Sequence, residues 1–261
     1  MAGSDETKLT HGVGSARRAL QLLLSFTPDE PRFSPAELAD RFEMPIGSIY
    51  RYTSLLRELG MIEDAPGGRL QLTPRILTAA RAAMSVQSIV AVAEPLLREL
   101  AGQVKETVLL NQQTGDVVVC LLSVAAPYPM RVEHPLGHTM PLGSGATTKM
   151  ILAEMNPTEL AERLARIPDE RRPGRDELDL AASRGWTQSA GELDEGVWAC
   201  AAGLVLEGRP PMTVSVAGPE FRLDEVRRRE IIDLAVATAR TITESWLEGP
   251  SAAPLVPSVL R

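Results

Sequence analysis

Ser34–Gly60 reads SPAELADRFEMPIGSIYRYTSLLRELG and holds the densest local signals in the chain. Ser34 is a candidate N-cap, Pro35 suits the first helical position, and Glu37 stands three residues after the cap. Leu38, Ala39 and Phe42 follow at helical spacing. Met44-Pro45 interrupts, because the residue before a proline is driven out of the helical region. A second helix restarts at Pro45 with Ile49, Tyr52, Leu55, Leu56 and Leu59, and Gly60 can end it in the left-handed conformation. Two short helices joined by a tight turn describe a helix-turn-helix. The pattern leaves Ile46, Gly47, Ser48, Tyr50, Arg51 and Ser54 on the outer face of the second helix, the part that can enter a major groove. An ordinary helical hairpin within a larger core fits the same residues.

The next residues weigh against the plain hairpin. Met61–Asp64 and Arg69–Leu72 read as two short strands around Pro66-Gly67-Gly68. A helix-turn-helix followed at once by such a pair is a winged helix, with Arg69 near the wing tip, where a cation reaches phosphate or the minor groove. Ser15–Phe26 predicts a further helix, its apolar face at Ala16, Ala19, Leu20, Leu23 and Leu24. Thr27–Arg32 reads as a polar loop.

Composition bounds the rest. A chain of 261 residues, 44% hydrophobic and 23% charged, is that of a globular protein with one or two domains. No apolar run approaches the ~18–20 residues of a membrane span, and the polar start has no signal-peptide core, so a cytoplasmic protein without a membrane partner is expected. Cys120 and Cys200 lie in apolar surroundings and are expected as reduced thiols. The net charge of −7 is uneven: residues 1–75 hold 9 Lys/Arg against 10 Asp/Glu, and the remainder 18 against 24. Any DNA contact must therefore come from a local arginine face; only Lys8, Lys105 and Lys149 are lysines.

Beyond the wing, Thr73-Pro74 opens a helical region reaching about Ala101, which Pro95 should divide near Ala93. Its first part, with Leu77, Ala80 and Met84, suits packing on another helix, from a partner chain or its own. Then the period changes. Thr107–Asn111 and Asp116–Ser123 read as a hairpin around Gln112–Gly115, and Met130–His134 as a short strand. Thr139–Gly145 reads as a glycine-rich loop, followed by helices at Ala146–Glu154, from Asn156-Pro157 to about Ile167, and at Asp176–Arg184. Trp186–Ala190, Ala199–Leu206 and Met212–Ala217 read as strands, and Leu223–Leu247 as a long helix. Strands returning through short turns, with helices between groups of them, predict an α+β domain on an antiparallel sheet.

From Val13 to Leu247 the sequence resembles the IclR family of bacterial transcription regulators, in Leu38–Leu59, Glu106-Thr107-Val108, Gly137–Lys149, Gly185–Val205 and Val214–Pro219, in that order. The resemblance implies a winged helix-turn-helix DNA-binding domain, a linker helix and a C-terminal GAF/PAS-like effector-binding domain. It implies a homodimer or dimer of dimers on palindromic operator DNA, with a small-molecule effector adjusting affinity. Placed on the chain, this gives a disordered leader at 1–12, the winged domain at 13–73, the linker at 74–93, the effector and oligomerisation domain at 94–248, and a mobile tail at 249–261. Two departures stand out. Glu43 occupies a turn position where the family often has glycine. The loop Pro141–Lys149 lacks the family's histidine and carries Thr147 and Thr148.

The expected DNA contacts are Ser48, Tyr50, Arg51 and Ser54, with Arg69 from the wing; Arg51 could meet guanine or phosphate. For the effector, the resemblance points to the wall Gly143, Ser144, Gly145, Ala146 and Thr147. Backbone N–H groups at a helix start there would favour a carboxylate. It adds positions matching Met130, Val132, Ser189, Val197, Ala199, Ser215 and Ala217. The apolar ones are as readily plain core. The expected effector is a small organic or aromatic acid or a related catabolite, and repression is the expected sense; alternatively the C-terminal domain binds no metabolite and serves oligomerisation or a protein partner. Enzyme readings find no footing: Ser144 lies outside a nucleophile elbow. His11, His134 and His138 make no metal pattern with the cysteines, and Pro135 and Gly137 disfavour the helix that would bring His134 and His138 together. No cofactor or metal is expected.

Overall fold

The computed structural model describes residues 13–85 and 88–248; the expected leader and tail lie outside them. The chain divides into two compact units, one ending at Val86 and one beginning at Gln87.

The first unit contains α1 (Gly14–Leu24), β1 (Arg32–Phe33), α2 (Pro35–Arg41), α3 (Ile46–Glu58), β2 (Ile62–Ala65), β3 (Arg69–Leu72) and α4 (Ile76–Ser85). The sequence signals at α2 act as read. Ser34 Oγ accepts from the Glu37 N–H at 3.2 Å, and the Glu37 carboxylate accepts from the Ser34 N–H at 2.7 Å, a reciprocal capping box. The bond from the Ser34 backbone, above all, holds the Glu37 carboxyl below its ordinary value. Leu22, Phe33, Leu38, Ile49, Leu56, Ile62 and Leu70 close a single small core.

Two expectations change. The strand β1 was read as loop; it pairs with β3, Phe33 opposite Leu70, making the wing sheet three-stranded in the order β1-β3-β2. Two residues carry no period, so only pairing reveals such a strand. The buried face of α1 is Ala19 and Leu22, while Leu20 and Leu24 are 58% and 78% exposed. The run Leu22-Leu23-Leu24 allows several faces; Phe26, edge-on to Phe33 at 5.3 Å, selects one. On α4, Leu77 and Ala80 are exposed; the Met84 side chain lies outside the description.

The second unit contains α5 (Ser88–Val104), β4 (Thr107–Thr114), β5 (Val117–Val124), β6 (Thr139–Pro141), α6 (Ala146–Ala153), α7 (Pro157–Leu164), α8 (Arg175–Arg184), β7 (Trp186–Ala190), β8 (Val197–Leu204), β9 (Met212–Pro219) and α9 (Glu225–Glu248). Its sheet runs β6-β5-β4-β9-β8-β7, antiparallel at every step. Alternate residues divide the faces. Val108, Leu110, Trp198, Cys200, Val214 and Val216 pack with Leu97, Leu100, Ile231 and Ile242 from α5 and α9. Residues of the opposite parity, including Ala201, meet Ala146 and Met150 of α6.

The helix does not break at Pro95. α5 runs through it from Ser88 to Val104. Ile89, Ala93, Leu97 and Leu100, at most 2% exposed, bury a stripe on both sides of the proline, and that burial outweighs one lost ladder bond. Met130–His134 is not a strand. Pro127, Pro129 and Pro135 bracket it, and the Val132 carbonyl accepts from the Thr107 hydroxyl at 2.7 Å instead of a neighbouring strand. The loop expected at Thr139–Gly145 instead begins with β6, held to β5 by Val118 opposite Met140. The β4 strand extends to Thr114, so its turn lies at Gly115-Asp116.

Candidate DNA-reading face and effector pocket

On α3, Ile49, Thr53 and Leu56 face the core, while Tyr50, Arg51 and Ser54 are exposed, with Ile46 and Gly47 at the helix start. Ser48 is half-buried, and its hydroxyl accepts from the Arg51 guanidinium at 3.1 Å. The two expected contacts therefore hold each other, and Arg51 is pre-oriented across the first turn of α3. The preceding turn carries Glu43 at φ 49, a left-handed conformation that glycine adopts without strain. This is the position where the resemblance leads one to expect glycine.

Arg69 begins β3, next to the wing turn. Its guanidinium pairs with the Glu37 carboxylate of the capping box and donates to the Arg32 carbonyl at 3.3 Å. The wing turn itself, Pro66–Gly68, has Gly67 and Gly68 at φ 76 and 71 and carries no cation. Arg69 thus lies near the tip as expected, opposite Ala65 at the end of the hairpin, but its guanidinium is engaged by the acid of α2 instead of standing free. No sequence pattern announces a pair 32 residues apart.

In the second unit a pocket opens between α6 and the sheet. Of the expected positions it brings together Val132, Ala146, Thr147, Ser189, Val197, Ala199, Ser215 and Ala217. The strand register explains this: Ser189 lies opposite Ala199, Ala199 opposite Ala217, and Leu109 opposite Ser215, all on one face. The hydroxyls of Thr147 and Ser215 lie 2.9 Å apart, and Ser215 accepts from the buried Asn111 amide at 3.1 Å. Met130 is outside, 64% exposed, with its carbonyl taken by Arg222 at 2.9 Å. Gly143 and Ser144 lie behind the wall, against the Arg171 carbonyl. Gly145 is the N-cap of α6, at φ 94.

The helix start is not open, contrary to expectation. The Gly145 N–H donates to Glu192 at 2.9 Å and the Ala146 N–H to Ser189 Oγ at 3.0 Å. Glu192 and its neighbours Leu193 and Asp194, on the turn between β7 and β8, complete the lining with Leu109, Met140 and His134. Of these six, sequence reading gave only His134 a surface or pocket-edge role; it passed over Glu192, Leu193 and Asp194 because a loop that folds back over a pocket has no periodic signature. The cavity left is about 40 Å³, room for a few waters. Below it Lys149, 2% exposed, has Nζ 2.6 Å from both Glu177 and Glu192 and 3.3 Å from the Gln188 carbonyl. A buried ammonium is thus held by two carboxylates, which offset its desolvation.

His134 and His138 do meet, centroids 4.5 Å apart. As expected, no helix forms across Pro135 and Gly137; a turn, with the His138 N–H on the Pro135 carbonyl at 2.9 Å, brings the two rings together instead. Burial, then the His138 charge, lowers the His134 pKa, with Asp194 opposing. His134 is therefore neutral at pH 7, and its Nδ1 is buried without a protein partner. Among the described residues no three His, Cys, Asp or Glu side chains are grouped to hold a metal ion, and no helix is long and apolar enough to cross a membrane.

Comparison with known proteins covers both units. Residues 81–244 match the family model for the bacterial transcriptional regulator IclR C-terminal domain, and residues 15–66 the IclR helix-turn-helix domain. The chain is 24% identical to the HTH-type transcriptional regulator KdgR of Dickeya chrysanthemi, over 94% of this chain and 83% of that protein. It is similar to the crystal structure of an IclR family regulator from Brucella abortus, with TM-score 0.79 and 27% identity over 94% and 96% of the two chains. An IclR homologue of Microbacterium hydrocarbonoxydans, complexed with 4-hydroxybenzoate, shares the fold at TM-score 0.72 and 17% identity, over 90% and 100% of the chains.

Proposed function

The chain belongs to the IclR family of bacterial transcriptional regulators, and we propose that it is a cytoplasmic repressor whose grip on its operator is set by a small organic acid. Family membership makes it a DNA-binding regulator rather than an enzyme. The observation that carries the DNA-reading part is the α3 face, which leaves Tyr50, Arg51 and Ser54 exposed while Ile49 and Leu56 anchor the helix beneath them. Repression is the simpler sense, because a protein seated on a promoter excludes polymerase by occupancy alone. A homodimer, or a dimer of dimers, would set two α3 helices on half-sites about one helical turn, ~34 Å, or a multiple of it apart.

The effector part is supported by the eight expected positions that meet around one cavity, and the organic acid by what the start of α6 already holds, a carboxylate. A second reading, in which the C-terminal unit binds no metabolite, has the size of that cavity in its favour. About 40 Å³ is far below the ~300–1,000 Å³ of ordinary small-molecule sites.

Footprinting on the promoter beside the protein's own gene tests the DNA reading. Wild type should protect a palindromic site, and Arg51→Ala should weaken it by ~1–3 kcal/mol. If Arg51 reads a base, one operator position relaxes; if it meets phosphate, the salt slope falls by about one. No protected site at low salt with folded protein would end the proposal. Effector action is tested by repeating the footprint with benzoate and 4-hydroxybenzoate.

A further inference from the structure

The start of α6 is the most anion-attracting point of the pocket, and the chain fills it with a side chain of its own. One oxygen of Glu192 accepts from the Gly145 N–H at 2.9 Å, and the other lies 2.6 Å from Lys149 Nζ. Leu193 rests on Gly145, so close that a methyl group there would stand 2.6 Å from its Cδ1. Asp194 continues the cover. The loop begins and ends on glycines in left-handed conformations, Gly191 at φ 65 and Gly196 at φ 76.

We infer that Glu192 is a built-in competitor: its carboxylate holds loop 191–196 over the pocket, and an organic acid acts by taking its place on the Gly145 N–H and Lys149. This rests on the reading of the pocket as an effector site. It also removes the objection from size, because the closed cavity is the competitor-bound state.

Three observations carry it. The remaining walls are the strands β4, β6, β7, β8 and β9 and the helix α6, fixed by ladders and core, with Val132 and His134 from a segment tied down at the Thr107 hydroxyl and the Cys120 backbone. Residues 191–196 of the Glu192 loop are all exposed, which makes that loop a part that can yield. Next, exchanging one carboxylate for another conserves charge. Lys149 keeps Glu177 at 2.6 Å throughout, so no bare ammonium is left in the interior. Finally, the Glu192 side chain is already 33% exposed, so once released it returns to water instead of being stranded. The helix start and the ammonium that attract Glu192 attract any small carboxylate for the same reason.

The test compares full-length wild type with Glu192→Ala, using sodium acetate and sodium benzoate as probes and sodium chloride as the ionic-strength control. Thermal melting is read by tryptophan fluorescence. Without acid, Glu192→Ala should melt lower and exchange its loop 191–196 amides faster. With acid it should regain stability, half-saturating at about a tenth of the wild-type concentration or less, because the closed loop no longer subtracts from affinity. Equal stabilisation of both proteins, or of neither, overturns the inference. Should Glu192→Ala not fold, Glu192→Gln keeps an acceptor without the charge. It should still bind acid about threefold or more tighter than wild type, and wild-type affinity would overturn the inference. The footprint separates this from the effector reading. Acids that bind the variant preferentially yet leave wild-type operator affinity unchanged at saturation uphold Glu192 and sink the effector reading. Acids that release both proteins from the operator at one concentration do the reverse.

Discussion

Replacing Glu154 with glutamine should remove most of the loss of stability of the C-terminal unit between mildly acidic and alkaline pH. Glu154 is the C-cap residue of α6, and its Oε2 is buried with no hydrogen-bond partner. Gly203 on β8 makes the space, since a methyl group there would overlap the carboxylate. Burial without a donor pushes the carboxyl from 4.5 up to about 8. Because the folded-state value is raised, the folded chain keeps a proton that the unfolded chain has already lost. The contribution is complete below about 4.5, declines as pH rises, and is gone above about 8. At ~1.4 kcal/mol for each tenfold in proton affinity, that difference amounts to roughly 5 kcal/mol. Urea unfolding followed by tryptophan fluorescence reports on this unit, because Trp186, Trp198 and Trp246 all lie in it. Wild type should lose several kcal/mol between about pH 5 and pH 8.5, whereas Glu154→Gln should change by about 1 kcal/mol or less from this source. Parallel curves for the two proteins would refute the assignment of Glu154 as a neutral buried acid.

Three further outcomes follow from the geometry. Glu43→Gly should hold or raise stability, by up to about 1 kcal/mol, since glycine accepts φ 49 without strain; a clear drop in melting temperature would show that the Glu43 side chain matters more than its backbone. Arg69→Ala should cost ~0.2–1 kcal/mol in thermal unfolding, as an exposed pair with Glu37 does, and leave operator preference intact; an altered footprint would return Arg69 to the DNA contacts. Gly145→Ala, at φ 94 and against Leu193, should destabilise by ~1–3 kcal/mol and speed amide exchange in loop 191–196; unchanged exchange would disconnect that contact from the loop.

Local signals were the legible ones. Ser34, Pro35 and Glu37 announce α2 because a capping box acts within four residues, and Asn156 announces α7, accepting the Glu159 N–H at 3.0 Å, for the same reason. Gly185 at φ 72 ends α8 as its position suggested. Patterns of period two located β7, β8 and β9, and those strands brought Ser189, Ala199, Ser215 and Ala217 into one pocket wall. Pro95 misled because a proline's local penalty is visible in the sequence while the burial that overrides it, at Ala93 and Leu97, is not.

What this sequence determined alone is therefore most of its elements, their order, and through its resemblance the family, since caps, turns and hydrophobic period are interactions between near neighbours. What only tertiary structure decided are the meetings of distant residues: Phe33 with Leu70, Arg69 with Glu37, His134 with His138, and Glu192 with Gly145 and Lys149. Each depends on where two folded segments come to lie, and charge or hydrogen-bond complementarity acts only once the backbone has brought the partners within a few ångströms. The start of α6 shows the difference most plainly. Its glycine and first-turn residues were readable as an anion site, and the anion in it is the protein's own.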